Sequence, residues 1–514
     1  MMTPGIAVGL FTAICKQEGC EVDLFETTGY FDLSSNEQVH IVRASTGGTR
    51  SFSWEDLGIS VRDDKFILSD FREKVENYCP DLILVTVVED VFLQAIQLLE
   101  EIKDLNIPNI MGGVFPTSQP DLCMSHDCVS MLGIYEGERT LRELIHRIKN
   151  KDNFENIKGA WVRLSDGSIQ KNPPQPLVNI GDVTPDYSLF NENRFYRPYG
   201  GKIFKAIPME TYRGCPYHCT YCNSPTTRDF GKSFGLDSFL RRKCIDKIKD
   251  DLLLYKELYN PTFITFMDDS FLARPRTEIF EFCEMYKKYC GLPFWMNTRI
   301  ENCRPDVLQA IKEAGCYRMQ FGLESGNEEY RKTVLKRTVP NKTYYEFFEY
   351  INDSDIAYVL NVIIGLPFET RDLVFDTIKM VRRAAGYDGT TVSTFIPYSG
   401  TTLKKVCIEN NFIDKDFIND DPKGLSSLSS LNMPKPYLQA KEIDGLAKTF
   451  NLYCYFPETE WKNIKKAETD EKTREFYYNI YNKEFFSSDV QLGGKTRIEG
   501  SLACRIDEAS QWAI

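Results

Sequence analysis

The chain lacks any apolar run long enough to cross a bilayer, and its N-terminus carries no signal-peptide pattern. These absences predict a cytoplasmic protein with no membrane span. The sequence also lacks blocks of Lys and Arg and has a net charge of −12. A nucleic-acid substrate is therefore not expected, because such substrates favour a basic face. Histidine is scarce, with four residues in the whole chain.

With 514 residues, the chain is long enough for about three domains. Its hydrophobic content of 42% and charged content of 26% are ordinary for a globular protein. Only three of its 16 cysteines have the spacing of metal ligands. In a long cytoplasmic chain, we expect most of the others to be buried small hydrophobic residues rather than disulfide partners.

The three spaced cysteines, Cys215, Cys219 and Cys222, form a C-x3-C-x2-C pattern directly after a short apolar run. Three thiolates on one tight loop can hold three irons of a cubane iron–sulfur cluster, whereas electron-transfer clusters take four cysteines. One iron would stay open for a substrate or cofactor, and Tyr221 could lie against a flat ring bound there. Zinc suits the pattern less well, because it usually takes two pairs of ligands and only His218 lies inside the loop.

This cysteine stretch resembles the cluster loop of the radical S-adenosylmethionine (SAM) enzymes. The resemblance implies a 4Fe–4S cluster whose open iron chelates the amino and carboxylate groups of SAM. It also implies reductive cleavage of SAM to a 5′-deoxyadenosyl radical. An electron donor such as flavodoxin or ferredoxin would then be a partner.

Residues 1–150 alternate predicted strands with predicted helices, which is typical of a Rossmann-like, doubly wound parallel sheet. The predicted strands are Glu21–Phe25, Asp81–Val88, Ile107–Met111 and Val129–Ile134. The predicted helices are Gly5–Gly19, Phe71–Tyr78, Val91–Lys103 and Arg139–Lys149. Sheets of this kind bind ligands at the carboxyl ends of their strands.

Small or Gly-rich turns follow three of these strands. In their order and spacing they resemble the cobalamin-binding domain that is fused to one branch of radical SAM enzymes. The resemblance implies that five residues line the groove for the nucleotide tail of cobalamin, namely Thr86, Gly112, Gly113, Gly137 and Glu138.

Two departures from the family pattern make the cobalamin prediction conditional. The chain has no D-x-H-x-x-G motif, so a histidine of this domain is not expected to ligate cobalt from below, which is also usual in the radical SAM branch. The family's first strand is absent, since Thr3–Leu10 matches the start of its first helix. That strand would be central in this sheet order, and we expect a truncated or mis-started sequence.

Residues 151–204 are predicted to be a linker with a small hairpin, Gly159–Gln170, around an Asp-Gly turn. Residues 205–405 are predicted to form a partial (β/α)6 radical SAM barrel. Its predicted strands lie near Phe204–Met209, Thr262–Met267, Phe294–Thr298, Arg318–Gly322, Tyr358–Ile364 and Thr391–Ile396. The intervening helices are predicted at Ser238–Leu258, Arg276–Tyr289, Pro305–Ala314, Lys342–Ile351 and Arg371–Ala385.

Polar motifs follow the barrel strands, and active sites of βα barrels lie at the carboxyl ends of the strands. Paired carboxylates at the end of the second strand could be acid/base groups or metal ligands. In the resembled family, an acidic or neighbouring backbone group at this place receives the SAM ammonium. The candidate residues at these strand ends are Asp268, Asp269, Arg299, Glu324, Ser325, Arg337 and Ile364.

The resemblance suggests a role for each of the later motifs. Glu324 and Ser325 could hydrogen-bond the ribose or amino group of SAM. Arg299 or Arg337 could clamp the methionine carboxylate, which suits a bidentate guanidinium. Ile364 could back the adenine. Residues 406–514 are predicted to form a mostly helical cap on the barrel, with substrate contact as the alternative.

Together these features imply a cobalamin-dependent radical SAM enzyme, most simply a methyltransferase acting on an unactivated carbon of a small-molecule or natural-product substrate. In that family a substrate radical takes a methyl group from methylcobalamin, and the cofactors carry the chemistry. Three alternatives stay open: ring formation or oxidation without methyl transfer, a methylthiotransferase, and a non-catalytic cofactor-binding sensor. A methylthiotransferase would need a second three-cysteine cluster in the N-terminal domain, and the cysteines there do not suggest one.

Overall fold

The N-terminal sheet has three parallel strands followed by an antiparallel hairpin. The computed structural model describes residues 3–31, 61–199, 202–354, 356–384, 386–387, 389–419 and 428–485. In sheet order, the five strands are Ile83–Thr86, Asn109–Gly112, Met131–Gly133, Ala160–Arg163 and Ile169–Lys171. Their parallel and antiparallel registers confirm the predicted sheet and the hairpin that extends it.

Helices cover both faces of this sheet because alternate side chains of a strand point to opposite faces. Ile110 joins an apolar cluster with Leu144 on one face, while Met111 joins a cluster with Phe92 on the other. The four principal helices of this region are Ile6–Gln17, Ile67–Tyr78, Phe92–Glu101 and Glu138–Asn150, and shorter helices span Val114–Ser118 and Pro120–Met124. The doubly wound architecture is therefore confirmed.

One edge of the sheet is open within the described part of the chain, where no strand pairs with the outer side of Ile83–Thr86. The side chains of this strand are half-buried or exposed, whereas Met131–Gly133 is fully buried.

The predicted strand Glu21–Phe25 is wrong. Its apolar side chains pack against three different clusters, so this stretch bridges layers of the fold and does not pair.

The second sheet is a curled half-barrel of six parallel strands with one antiparallel strand, Tyr196–Tyr199, added at its edge. The six parallel strands, in sheet order from that edge to the opposite edge, are Lys202–Met209, Phe263–Phe266, Phe294–Thr298, Cys316–Glu324, Ala357–Ile364 and Gly389–Thr394. The intervening helices are Ile245–Tyr259, Arg276–Tyr289, Pro305–Glu313, Glu328–Thr333, Asn341–Asp353 and Arg371–Arg383. All six predicted barrel strands are confirmed, and the added edge strand was not predicted.

Three points of the helical prediction in the barrel need correction, and one is that the short helix Glu328–Thr333 was not predicted. The helix predicted from Ser238 begins only at Ile245, because Arg241–Arg242 pairs in antiparallel fashion with Tyr212–Arg213. A helix at Asn223–Ser233 was not predicted at all. Its sequence does not indicate a helix, since it contains Pro, Gly and two adjacent Thr residues, which are poor helix formers.

The C-terminal part is helical, as predicted, with helices Thr402–Glu409, Ala440–Tyr455, Trp461–Ala467 and Glu471–Phe485. Gln439 and Glu442 form a capping box that starts the longest of them. That helix packs against helix Arg371–Arg383 and against the last barrel strand, which is the edge strand of the half-barrel. None of the helices in the described ranges is both long and apolar enough to cross a membrane.

Candidate active site

The cysteine loop leaves the first barrel strand, Lys202–Met209, through a sharp turn at Gly214. This residue has φ +94°, and a Cβ there would lie 2.8 Å from the carbonyl oxygen of Phe239, so only glycine fits. Cys215 and Cys222 are half-buried and Cys219 is buried. The turn therefore places all three thiols at the carboxyl mouth of the half-barrel.

The three thiols influence one another without meeting at one point. Burial raises the pKa of Cys215 to about 11 and of Cys222 to about 12, and neighbouring thiols of the loop add to both shifts. Among the described residues, no three His, Cys, Asp or Glu side chains converge closely enough to hold a single metal ion. In a cubane cluster each iron takes one thiolate, and metal binding displaces the thiol protons.

The middle of the loop is fastened by its backbone to two other segments. The N–H of Thr220 donates to the carbonyl of Leu335 (3.3 Å), and its hydroxyl donates to the carbonyl of Val334 (2.7 Å). The N–H of Leu403 in turn donates to the carbonyl of Thr220 (3.0 Å). The cysteine loop is thereby held in place by the protein alone.

Tyr221 takes part in a buried network with two of the predicted SAM contacts. Its hydroxyl lies 3.2 Å from Oε1 of Glu324 and accepts from Nη1 of Arg337 at 3.1 Å. Arg337 also donates to the carbonyl of Gly322 and lies 3.7 Å from Glu324. Burial raises the pKa of Glu324, and Arg337 opposes that shift. The structure thus brings these three residues together as a network that fixes the loop.

The paired aspartates at the end of the second strand have different surroundings. Asp268 is fully buried and accepts from Thr211 (N–H 2.6 Å, hydroxyl 2.5 Å), from the N–H of Tyr212 (3.0 Å) and from Arg274 (2.7 Å). Its contacts with Thr211 and Tyr212 tie the strand to the start of the cysteine loop. Asp269 is exposed at the mouth. The pKa of Asp269 is raised to about 6, first because the surrounding protein removes water from its carboxylate and then because Asp268 carries a like charge.

Arg299 reaches the cluster loop directly. Its Nη1 lies 3.6 Å from Sγ of Cys219, its guanidinium lies over the ring of Tyr217 (3.7 Å to the centroid), and its Nη2 pairs with Glu301 at 2.5 Å. Ser325 is fully buried, and its hydroxyl has no partner within the described residues. Ile364 is buried too.

The carboxyl edge of the N-terminal sheet faces the barrel mouth, and some of its predicted cobalamin residues are already engaged. Glu138 pairs with Arg213 at 2.8 Å, just before the cysteine loop. A Cβ at Gly137 would lie 2.8 Å from the ring of Phe11, and one at Gly113 would lie 2.3 Å from the carbonyl oxygen of Val87. Thr86 is exposed, and Gly112 accepts a backbone hydrogen bond.

Two further contacts between the sheet and the barrel escaped sequence reasoning. Glu136 pairs with Arg213 and Arg241. Glu89 and Lys404 form a buried pair at 3.3 Å. The partners are separated by 77, 105 and 315 residues in the sequence, and only the fold brings them together.

A cavity of about 470 Å³ lies between the sheet and the barrel. Its lining begins at Val114, directly after Gly112 and Gly113. It extends to the helix that follows Cys222 and to residues 399–405, which follow the last barrel strand. Three lysines, Lys404, Lys405 and Lys415, line it. Its position at the carboxyl edge is where sheets of this type bind ligands.

Comparison with known proteins identifies the barrel. Residues 209–381 match the radical SAM superfamily, so this part of the chain is a radical SAM domain. An uncharacterised methyltransferase of Pyrococcus horikoshii is 26% identical over 351 residues, covering 67% of this chain and 73% of the relative. Cytidylyl-2-hydroxyethylphosphonate methyltransferase of Streptomyces wedmorensis is 21% identical over 512 residues, covering 89% and 88%.

The fold as a whole matches a solved structure. The cobalamin-dependent SAM radical enzyme OxsB, solved with aqua-cobalamin and SAM bound, has a TM-score of 0.60 and 15% identity. The match covers 99% of this chain and 76% of OxsB. Both the N-terminal sheet and the half-barrel therefore have counterparts in one cobalamin-dependent protein.

Proposed function

We propose that this chain, whose residues 209–381 are a radical SAM domain, is a cobalamin-dependent radical SAM methyltransferase that acts on a small molecule. One observation carries the proposal. A three-cysteine loop at the carboxyl mouth of a six-stranded half-barrel faces the carboxyl edge of a doubly wound sheet. This pairing brings the two ligand-binding edges of the fold together.

The residues at the mouth fit the cofactors that such an enzyme needs. Cys215, Cys219 and Cys222 would hold a 4Fe–4S cluster and leave one iron open. When bound, the cluster and cobalamin supply the electron that cleaves SAM and the carrier for the methyl group. The chain's own part is to position the loop through Thr220 and Tyr221 and to bury it from water.

The cavity between the sheet and the barrel is the proposed place for the corrinoid. Its wall starts at Val114, the residue after Gly113, and it lies beside the helix that follows Cys222. The five residues that the resemblance implies lie outside its lining. The exposed Lys405 and Lys415 in its wall suit the phosphodiester of the cobalamin nucleotide loop, since phosphate is recognised by cationic side chains. Lys404 is instead paired with Glu89. Thr86 lies at the same edge, whereas Glu138 serves the contact with Arg213.

The relatives support methyl transfer, because two that match most of this chain are named methyltransferases. A second candidate is radical chemistry without methyl transfer. It is favoured by the likeness in fold to OxsB, a cobalamin-dependent SAM radical enzyme, over 99% of this chain. In either case we expect a low-potential protein such as flavodoxin or ferredoxin to supply electrons. All cysteines within the described residues are free thiols, which suits a reducing compartment.

Product analysis with methyl-labelled SAM tests the proposal and separates the two candidates. The protein is reconstituted anaerobically with iron, sulfide and cobalamin and is given a strong reductant and candidate small molecules. Label in the product, together with 5′-deoxyadenosine, is the expected result. Product formation without label would favour the second candidate. No retention of cobalamin by the reconstituted protein would overturn the cobalamin part of the proposal.

A further inference from the structure

Arg299 occupies an unusual position for a residue expected to bind the carboxylate of SAM. It is 8% exposed, and its guanidinium already has three neighbours. Nη1 lies 3.6 Å from Sγ of Cys219, Nη2 pairs with Glu301 at 2.5 Å, and Cζ lies 3.7 Å from the centroid of the Tyr217 ring. Only Nε has no partner within the described residues. The forked end that would grip a carboxylate is therefore committed to the protein.

The three contacts fix the orientation of the cation. The cation–π contact with Tyr217, which lies between Cys215 and Cys219, holds the guanidinium against the cysteine loop. The pair with Glu301 stops it from rotating about its last bond. As a result, an N–H of a buried cation is directed at one of the three thiol sulfurs.

A hydrogen bond to a ligand sulfur and a nearby positive charge both favour the reduced state of an iron–sulfur cluster. Reduction adds one electron from an external low-potential donor and makes the cluster one unit more negative. A buried cation stabilises that added charge more strongly than it would in water. The reduced cluster is thus the state that benefits from Arg299.

We propose that Arg299 is a positioning residue that raises the reduction potential of the cluster through Cys219, and that it is not the clamp for the methionine carboxylate. The inference rests on the proposed function only in requiring a cluster at the cysteine loop. Glu301 acts in the opposite direction, because its negative charge partly neutralises the guanidinium. The two residues together set how readily the cluster accepts its electron.

The test is a redox titration of the reconstituted cluster, followed by electron paramagnetic resonance, with no SAM present. In Arg299→Gln the equilibrium constant for reduction is expected to fall by tenfold to hundredfold, and each tenfold equals about 59 mV for one electron. In Glu301→Gln it is expected to rise. Arg299→Lys, which keeps the charge and loses the fork, is expected to lie between Arg299→Gln and wild type. Arg304→Gln, an exposed arginine five residues along, is the matched control and should leave the potential unchanged.

The reduction potential is expected to shift in opposite directions in Arg299→Gln and Glu301→Gln. A general disturbance of the loop would shift both potentials in the same direction, so the test separates the two explanations. Iron and sulfide contents are measured first, so that only variants with a full cluster are compared. An unchanged potential in Arg299→Gln, with weaker SAM binding in a separate titration, would overturn the inference and restore the carboxylate clamp. Failure of the wild type to cleave SAM would count against the proposed function but would leave the potentials readable.

Discussion

The buried pair of Glu89 and Lys404 should be essential for docking the N-terminal sheet on the barrel. The carboxylate accepts from Lys404 (3.3 Å) and the N–H of Asn419 (3.0 Å) through Oε1, and from the N–H of Ser399 (2.6 Å) through Oε2. Glu89 is 4% exposed and Lys404 5%. We predict that Lys404→Met, which keeps the length and apolar stem of the side chain, will loosen this contact.

The structure gives the size of the effect. Two unit charges 3.3 Å apart attract each other by about 5 kcal/mol at an effective dielectric constant of about 20. Removing one partner of a buried pair costs about 3–5 kcal/mol, since the other charge stays buried. A loss of 3 kcal/mol would raise the population of the opened contact by more than about a hundredfold, because 1.4 kcal/mol is a factor of about ten.

Hydrogen exchange measures this opening directly at Ser399, whose N–H is bonded to Glu89. In Lys404→Met the amide of Ser399 should exchange on the order of a hundredfold faster than in wild type. Lys405→Met removes the next lysine along the chain, which is exposed and lines the same cavity, and it is the matched control. Equal protection of Ser399 in the two variants would refute the reasoning, as would a Glu89→Gln, Lys404→Met double variant less stable than Lys404→Met alone.

Two further substitutions test the fold around the site. Burial raises the pKa of Glu369 to about 8, so the native state keeps a proton that the unfolded chain releases above about pH 4.5. The free energy of unfolding should therefore fall as pH rises from about 4.5 to 8, and Glu369→Gln should flatten this dependence in thermal melts; an unchanged slope would contradict the assignment. Gly113→Ala should destabilise the N-terminal sheet by at least about 2 kcal/mol, because φ is +126° and the new Cβ would lie 2.3 Å from the carbonyl of Val87. Its neighbour Gly112→Ala meets nothing closer than 4.0 Å and should be nearly neutral in urea unfolding, and equal losses in both variants would count against the geometry.

The barrel could be predicted from sequence because each of its strands is a local apolar run closed by a polar motif. The strand Phe294–Thr298 and the helix beginning at Pro305 appear where their residues indicate. The helix after Cys222 could not be predicted in this way, since its stability comes from packing against the N-terminal sheet through Phe230. The same holds for Glu21–Phe25, where the apolar pattern suits a strand but each side chain packs on a different cluster.

The candidate site shows a similar division. The three cysteines lie within eight consecutive residues, so the sequence alone was enough to locate the cysteine loop. Thr211, Arg213 and Cys219, which contact Asp268, Glu138 and Arg299 respectively, lie far from them in the chain, and no local pattern contains these contacts. Sequence therefore found the residues at the barrel mouth, while their contacts could be learned only from the fold.

The formation of 5′-deoxyadenosine from SAM by the anaerobically reconstituted protein, under a strong reductant, tests the central claim most directly. Wild type should produce it, and Cys222→Ala should not, since the loop would then offer only two thiolates. Cys283→Ala, which changes a buried thiol in helix Arg276–Tyr289, should retain the activity. Production by Cys222→Ala at the wild-type rate, or none by wild type with a full cluster and candidate substrates, would contradict the account.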